Sequence, residues 1–294
     1  MLINVCDFIS GCVSGASGIL IGHPADTIKV RQQTDRNSVV TIILNIWKHE
    51  GLRGYYKGCF FPVMSNGVTN ALYFGFYANS LRLITANDKK RLCCDSESVD
   101  QWHLKMILAG GIGGMASLLT SCPVELVKIR LQVDKHKDSI GSKRMVKYLY
   151  EKQGIRVFYK GWVIMAMRDI PSFAAYAAVY EHSVCVLESH KVTGHPKLRN
   201  EMIAGGIAGL VSWIPIMPVD VVKSRIQSDN LDHPKYKNIR DCFVKTYQKE
   251  GLLFFYKGSI ITALRAFPVN AITFSVYSNM NKLCEREINM YKSK

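Results

Sequence analysis

Two arginines lie in stretches that otherwise carry almost no charge. Arg168 is followed directly by Asp169 within residues 161–184, where the other charge is Glu181 near the end, and Arg265 is the sole charge in residues 258–280. Each stretch is long enough to cross the hydrocarbon of a bilayer as a helix. An arginine at mid-membrane costs at least about 2.5–3.5 kcal/mol, so it must face water or a partner, and by default it marks a candidate functional site. A guanidinium presents a planar fork of donors that suits a carboxylate. Asp169 suits an ammonium or a trimethylammonium. Together they describe a site for a zwitterion with additional cationic character, although two arginines against one aspartate would also take an anion.

The chain repeats itself, so a third position can be found by internal alignment. Tyr77, Tyr180 and Tyr277 each lie nineteen residues after Gly58, Gly161 and Gly258, and twelve residues before these tyrosines stand Ser65, Arg168 and Arg265. The three positions fall roughly 10 Å into a helix, near the membrane centre. Ser65 and Asn66 are small and polar there, and Asn70 follows one turn on. Tyr73, Tyr176 and Trp213 could wall a quaternary ammonium, although aromatic packing between helices is the commoner use of such residues.

A second constellation occurs three times. Pro24-Ala-Asp-Thr-Ile-Lys-Val-Arg31, Pro123-Val-Glu-Leu-Val-Lys-Ile-Arg130 and Pro218-Val-Asp-Val-Val-Lys-Ser-Arg225 each end a Gly-rich apolar segment, and Gln33, Gln132 and Gln227 each follow their proline by nine residues. Each copy places an acid and then a base three residues later. Around a threefold axis these would join as Asp26–Lys128, Glu125–Lys223 and Asp220–Lys29, a ring of ion pairs closing one end of a cavity. Pro24, Pro123 and Pro218 are expected to kink their helices, since proline lacks an N–H and clashes with the preceding turn. Each repeat has a second landmark: Glu50-Gly51 then Tyr56-Lys57-Gly58, Gln153-Gly154 then Tyr159-Lys160-Gly161, and Glu250-Gly251 then Tyr256-Lys257-Gly258.

The elements that must carry these residues can be laid out from the pattern of charge. Uncharged runs cover residues 8–25, 58–81, 106–124 and 202–219, and with 161–184 and 258–280 they make six candidate spans. The spans are expected near residues 5–33, 59–84, 102–132, 162–187, 199–227 and 259–283. Short amphipathic surface helices are expected near 39–49, 142–152 and 239–249. The repeats therefore cover 1–87, 102–190 and 198–285. The expected fold is an all-α membrane protein of six transmembrane helices in three repeats of two, a pseudo-threefold barrel. Mean hydropathy is only +0.04, which amphipathic spans around a polar interior and charged loops would explain. The glycines of the odd-numbered spans (Gly11, Gly15, Gly18 and Gly22, then Gly110 and Gly114, then Gly205 and Gly209) allow close helix contact.

The formal charge of +15 is unevenly placed. Residues 26–57, 125–160 and 220–257 hold twice as many Lys and Arg as Asp and Glu, whereas 82–105 and 181–201 are nearly balanced. Charge that alternates by loop follows the positive-inside pattern of a polytopic membrane protein. A basic stripe along one face would have pointed to nucleic acid, and no nucleic-acid partner is expected. The nine cysteines form neither a CxxC nor a Cys/His zinc spacing, and the adjacent Cys93 and Cys94 read as free thiols. No Arg-rich amphipathic leader is visible before the first apolar run. Gly111-Ile-Gly113-Gly114-Met-Ala116 fits a loose dinucleotide fingerprint, but it lies inside an apolar run and reads as helix packing. No phosphate loop, metalloprotease motif or nucleophile elbow is present. No enzyme, metal or cofactor is expected.

The motif Px[DE]xx[KR]x[KR], followed by an acid-Gly and an aromatic-basic-Gly, resembles that of the mitochondrial carrier family. The resemblance covers essentially the whole chain, in triplicate, with Gln153 as the one departure from the acid. It implies a monomeric inner-membrane transporter working by alternating access, with the positive loops in the matrix, both termini on the intermembrane-space side, and cardiolipin as a lipid partner. It also implies that substrate binds near the membrane centre through Ser65, Arg168 and Arg265. Residues 22–31, Met167–Pro171 with Tyr176 and Tyr180-Glu181, and 265–271 look like the carnitine/acylcarnitine and basic-amino-acid branch. The substrate class so implied is a basic amino acid, methylated lysine, carnitine or a related compound, moved by exchange. An anion or nucleotide carrier of the same fold, or a proton-leak carrier, is the alternative. On the even spans the family usually has [FY][DE]xx[RK]. Here the copies begin Tyr77-Ala78, Tyr180-Glu181 and Tyr277-Ser278, with Leu81, Val184 and Asn281 at the basic position. The cytoplasmic gate is therefore expected to be weak.

Overall fold

The computed structural model describes residues 5–35, 37–85, 99–134, 141–189 and 214–292, and every regular element among them is helical. The order is α1 (Val5–Thr34), α2 (Val39–Glu50), α3 (Leu52–Tyr55), α4 (Phe60–Ile84), α5 (Val99–Val133), α6 (Ser142–Gln153), α7 (Trp162–Ser189), α8 (Met217–Ser228), α9 (Ile239–Glu250) and α10 (Ser259–Lys292), with 3-10 turns at Gly154–Tyr159, Ile214–Ile216 and Leu252–Tyr256. Long helix, short helix and long helix follow one another in the first two repeats as expected, and of the span expected at 199–227 the described part is Ile214–Ser228. Cys93-Cys94, Trp213, Gly205 and Gly209 lie outside the described residues.

Each short helix follows from local chemistry. Ser38 caps α2 by accepting the Thr41 N–H at 3.2 Å, and Asn238 caps α9 by accepting the Asp241 N–H at 2.9 Å, each satisfying a donor that the helix leaves open. The buried residues recur at helical spacing: Ile42 and Ile46 in α2, Met145 and Leu149 in α6, Cys242 and Thr246 in α9. The helices end at Gly51, Gly154 and Gly251, with φ of 65°, 66° and 76°, and the turns into the next long helices sit at Gly58, Gly161 and Gly258, with φ of 79°, 83° and 89°. Residues with a Cβ rarely adopt that conformation. Both glycines of the repeated landmark are therefore turn requirements.

The helices α1 and α5 run through Pro24 and Pro123 without interruption, whereas Pro218 is the second residue of α8, just after a 3-10 turn. By length and composition, two segments among the described residues could cross a membrane, Leu104–Val133 and Leu252–Asn281. Large apolar side chains such as Leu83, Ile260 and Leu253 are highly exposed, as lipid-facing residues would be.

The chain divides into two compact units. The first comprises residues 1–68, 121–160 and 224–294; the second comprises 69–120 and 161–223. In the first, Leu126, Val127 and Leu131 of α5 pack on Met145, Leu149 and Val157. In the second, Gly113 lies against α4, where an added Cβ would stand 2.8 Å from the Tyr73 carbonyl oxygen. The Gly111–Gly114 cluster is thus inside a helix and serves close packing, which rules out the dinucleotide fingerprint. Also in the second unit, Thr69 and Thr120 share a hydroxyl hydrogen bond of 3.0 Å. Cys12, Cys59, Cys122 and Cys242 are free, and Cys284 is disulfide-bonded.

Glu50 ties α2 to α1. Its carboxylate accepts from both terminal nitrogens of Arg31 and lies 2.5 Å from Lys57 Nζ, with 3% of its side chain exposed. Burial works to raise its pKa, but the bonds from Arg31 and Lys57 outweigh this and hold the carboxyl below its usual 4.5. The stability so gained is complete above the ordinary carboxylate range and is lost as pH falls through the depressed value. Glu50→Gln strands two buried cations and is expected to cost about 3–5 kcal/mol. In thermal unfolding of the purified protein it should melt well below wild type at pH 7. Its profile below about pH 4.5 should be flatter, and parallel acid profiles would contradict this account.

Candidate functional site

In the first unit Asp26 stands between two cations. Its Oδ2 lies 2.6 Å from Lys128 Nζ, and its Oδ1 lies 2.8 Å from a terminal nitrogen of Arg265. The Asp26–Lys128 link expected from the repeat is therefore formed, and Arg265, expected at the substrate site, reaches the same carboxylate. One feature of α1 makes this possible. Gly22 leaves room for the guanidinium, since a Cβ there would sit 2.8 Å from Arg265 Nε and 2.9 Å from Val269. The Arg265 Nε is itself buried and has no hydrogen bond among the described residues, so the donor fork is only partly used.

In the second unit the balance is reversed. Arg168 stands between two carboxylates, its Nε 2.5 Å from Asp169 Oδ1 and a terminal nitrogen 3.1 Å from Asp220 Oδ1. All three side chains are at most 12% exposed, and Lys223 is buried in the same unit. Both central arginines thus bind an acid from the triplicate motif, a pairing that the spacing alone did not reveal. The remaining central residues differ. Ser65 is half-buried and Asn70 exposed. Asn66 packs against α1 at Gly15, where a Cβ would collide with its amide.

The repeated glutamines are buried, and two of them link repeats. Gln33 Oε1 accepts the Ser224 hydroxyl at 2.8 Å, and Gln132 Nε2 donates to Thr27 Oγ1 at 3.1 Å. Gln227 is fully buried. His23, Thr27 and Ser224 were not singled out from the sequence. His23 Nε2 lies 2.8 Å from the Lys57 carbonyl oxygen. Its place directly before the first motif's proline was the available signal.

The second base of each motif closes a cycle within the first unit. Arg31 Nε donates to the Gln132 carbonyl at 2.7 Å, Arg130 donates to the Asp229 carbonyl at 3.0 Å, and Arg225 Nε donates to the Gln33 carbonyl at 3.0 Å. Each repeat holds the helix end of the next, and the third returns to the first. Around Arg225 the fit is complete, with Thr246 at 3.0 Å, Glu250 at 2.8 Å and the ring of Phe254 at 4.2 Å.

The aromatic wall is less defined. Tyr73 stacks on Tyr77 and Tyr176 on Tyr180, each pair one turn apart on its own helix with ring centroids about 6 Å apart. Tyr77 also donates to Met106 Sδ at 2.9 Å. The side chain of Glu181 and the whole of Trp213 lie outside the described residues.

A family model described as mitochondrial carrier protein matches residues 3–88, 100–191 and 194–287, three copies that follow the three repeats. The chain belongs to the mitochondrial carrier family. It is accordingly a transporter of the mitochondrial inner membrane and not an enzyme. The human protein described as solute carrier family 25 member 45 is 34% identical over 283 residues, spanning 92% of this chain and 96% of that protein. The human mitochondrial basic amino acids transporter is 37% identical over 281 residues, 92% of this chain and 87% of that one. Solute carrier family 25 member 48 of Danio rerio is 32% identical over 301 residues, 92% of this chain and 94% of that one.

The shared carboxylate of Asp26 gives a test. Asp26→Asn and Arg265→Gln, singly and together, should show a coupling energy of roughly 0.5–3 kcal/mol in denaturant unfolding. Strict additivity would mean that the pair is not formed in the resting carrier. Gly22→Ala should reduce the same coupling by displacing the guanidinium.

Proposed function

We propose that this carrier moves a cationic or zwitterionic amino-acid-type metabolite by alternating access: a basic amino acid, a methylated lysine, carnitine or a related compound. The observation that supports the reading is the buried ion pair of Arg168 and Asp169. Asp169 suits a ligand ammonium, and a guanidinium fork such as that of Arg168 or Arg265 suits a carboxylate. Ser65, Asn66 and Asn70 complete the proposed substrate contacts. A relative named as a basic amino acids transporter supports the same class.

The matrix gate is proposed to comprise Asp26–Lys128 together with Glu125–Lys223 and Asp220–Lys29, with Gln33, Gln132 and Gln227 beside it. Gate opening must follow from a ligand that binds the two states unequally. Exchange is the proposed mode, with the termini facing the intermembrane space, cardiolipin as lipid partner and a monomeric carrier. The weak cytoplasmic gate predicts that exchange is not strict: the empty carrier also reorients, giving measurable net uptake. Proteoliposomes that take up substrate only when preloaded would contradict that part.

The deciding experiment is a thermal-shift panel on wild type and Asp169→Asn, covering basic amino acids, methylated lysines, carnitine, acylcarnitines, choline, nucleotides and dicarboxylates. A ligand of the folded state raises the melting temperature by mass action, equivalent to about 2.7 kcal/mol at a hundredfold excess over Kd. A cationic zwitterion should stabilise wild type and lose most of that effect in Asp169→Asn. Stabilisation by dicarboxylates or nucleotides alone, indifferent to Asp169, would instead favour an anion carrier built on the two arginines.

A further inference from the structure

The second repeat lacks an acid where the other two have one, and the cations that would meet it are still there. Glu50 and Glu250 each precede a positive-φ glycine and turn inward, with 3% and 9% of their side chains exposed, to meet Arg31 and Arg225. The equivalent residue is Gln153, and its side chain is exposed. The equivalent arginine is Arg130. One of its terminal nitrogens reaches the Asp229 carbonyl at 3.0 Å, but its Nε is buried and has no hydrogen bond among the described residues.

Asp229 of the next repeat is near enough to favour the charge of both Arg130 and Lys160, but its carboxylate is taken up by the backbone N–H groups of Asn230, Lys235 and Tyr236. The places of Thr246 and Phe254, which hold Arg225 in the third repeat, are taken by Leu149 and Val157, both buried and without an acceptor side chain. Lys160 occupies the place of Lys57, which in the first repeat binds Glu50 at 2.5 Å. The burial of Lys160, reinforced by the nearby charge of Arg130, pushes its ammonium below the ordinary lysine range. Two cations therefore share a partly buried corner without the carboxylate that their counterparts bind. Leaving two like charges so placed is unfavourable, and a planar or tetrahedral oxyanion fits a guanidinium fork beside an ammonium.

We propose that Arg130 and Lys160 form an anion site, in which a carboxylate or phosphate group of a separate molecule stands where Glu50 and Glu250 stand in the other repeats. Occupancy would brace α6 against the end of α5 as Glu50 braces α2 against α1. The stability of the second repeat would then depend on the anion content of its surroundings, whereas the first and third repeats carry their own acids. The oxyanion could be free in solution or belong to a lipid headgroup, and the chemistry is common to both.

Gln153→Glu separates these cases, because it supplies the acid in cis. Wild type, Gln153→Glu and Lys160→Gln are melted in low-chloride buffer with neutral detergent, then with inorganic phosphate, then with micelles containing cardiolipin or phosphatidylcholine. In the anion-free buffer Gln153→Glu should melt about 3 °C or more above wild type, and Lys160→Gln should respond little to any addition. If phosphate raises the wild-type melting temperature and leaves Gln153→Glu unmoved, the site takes a free oxyanion. If only cardiolipin does so, the site takes a headgroup. Equal responses of wild type and Gln153→Glu to every addition would overturn the proposal. So would Gln153→Glu melting below wild type, since the corner would then not accept an acid at all.

Discussion

A charge removed from water must meet its opposite, and most of this structure follows from where that is arranged. Asp26, Lys128, Arg168, Asp169 and Asp220 are each at most 18% exposed at the side chain, in helices whose other residues are largely apolar. At low dielectric, pairing decides whether such groups are tolerated. Attraction between them also falls off slowly, so a small change in one partner is felt by the others. Arg265 and Arg168 each bind an acid of the triplicate motif.

Much of this was legible in the residues. The triplicate motif placed the acids, the bases and the glutamines, and internal alignment found Arg168 and Arg265 as the charged positions of the even spans. The two landmark glycines of each repeat were legible as a pattern, and their positive φ supplies the reason for it. What the sequence could not show was reach. Arg265 meets Asp26 because α1 presents Gly22 at the crossing, and a spacing rule does not say which helix a long side chain lies against. His23, Thr27 and Ser224 escaped for a related reason: each is small or neutral, and its importance lies in one partner distant in sequence. Hydropathy was a weak guide because arginines, prolines and polar residues within the spans dilute their apolar signal.

The three repeats are alike in backbone and unlike in chemistry. The first holds its basic residues with one carboxylate shared by Arg31 and Lys57. The third adds an aromatic face and a threonine around Arg225. The second offers Leu149 and Val157 instead. The third also has a longer connection before α9, made rigid by Asp229, whose carboxylate accepts the backbone N–H groups of Asn230, Lys235 and Tyr236 at 2.9–3.1 Å. The repeated glycines and caps thus give the described segments a common frame, and individual residues decide how firmly each is held.

The cycle of arginine-to-carbonyl bonds has a consequence for how the chain is built. Arg31 finds its acceptor 101 residues downstream, and Arg130 finds its own 99 residues on. Arg225 reaches back 192 residues to Gln33. Loops of this length close late and slowly. During synthesis and insertion the first helix therefore waits with its C-terminal carbonyls uncapped until the last repeat arrives. A truncated chain would expose those groups, and a carrier missing one repeat would be an open clasp rather than a smaller carrier.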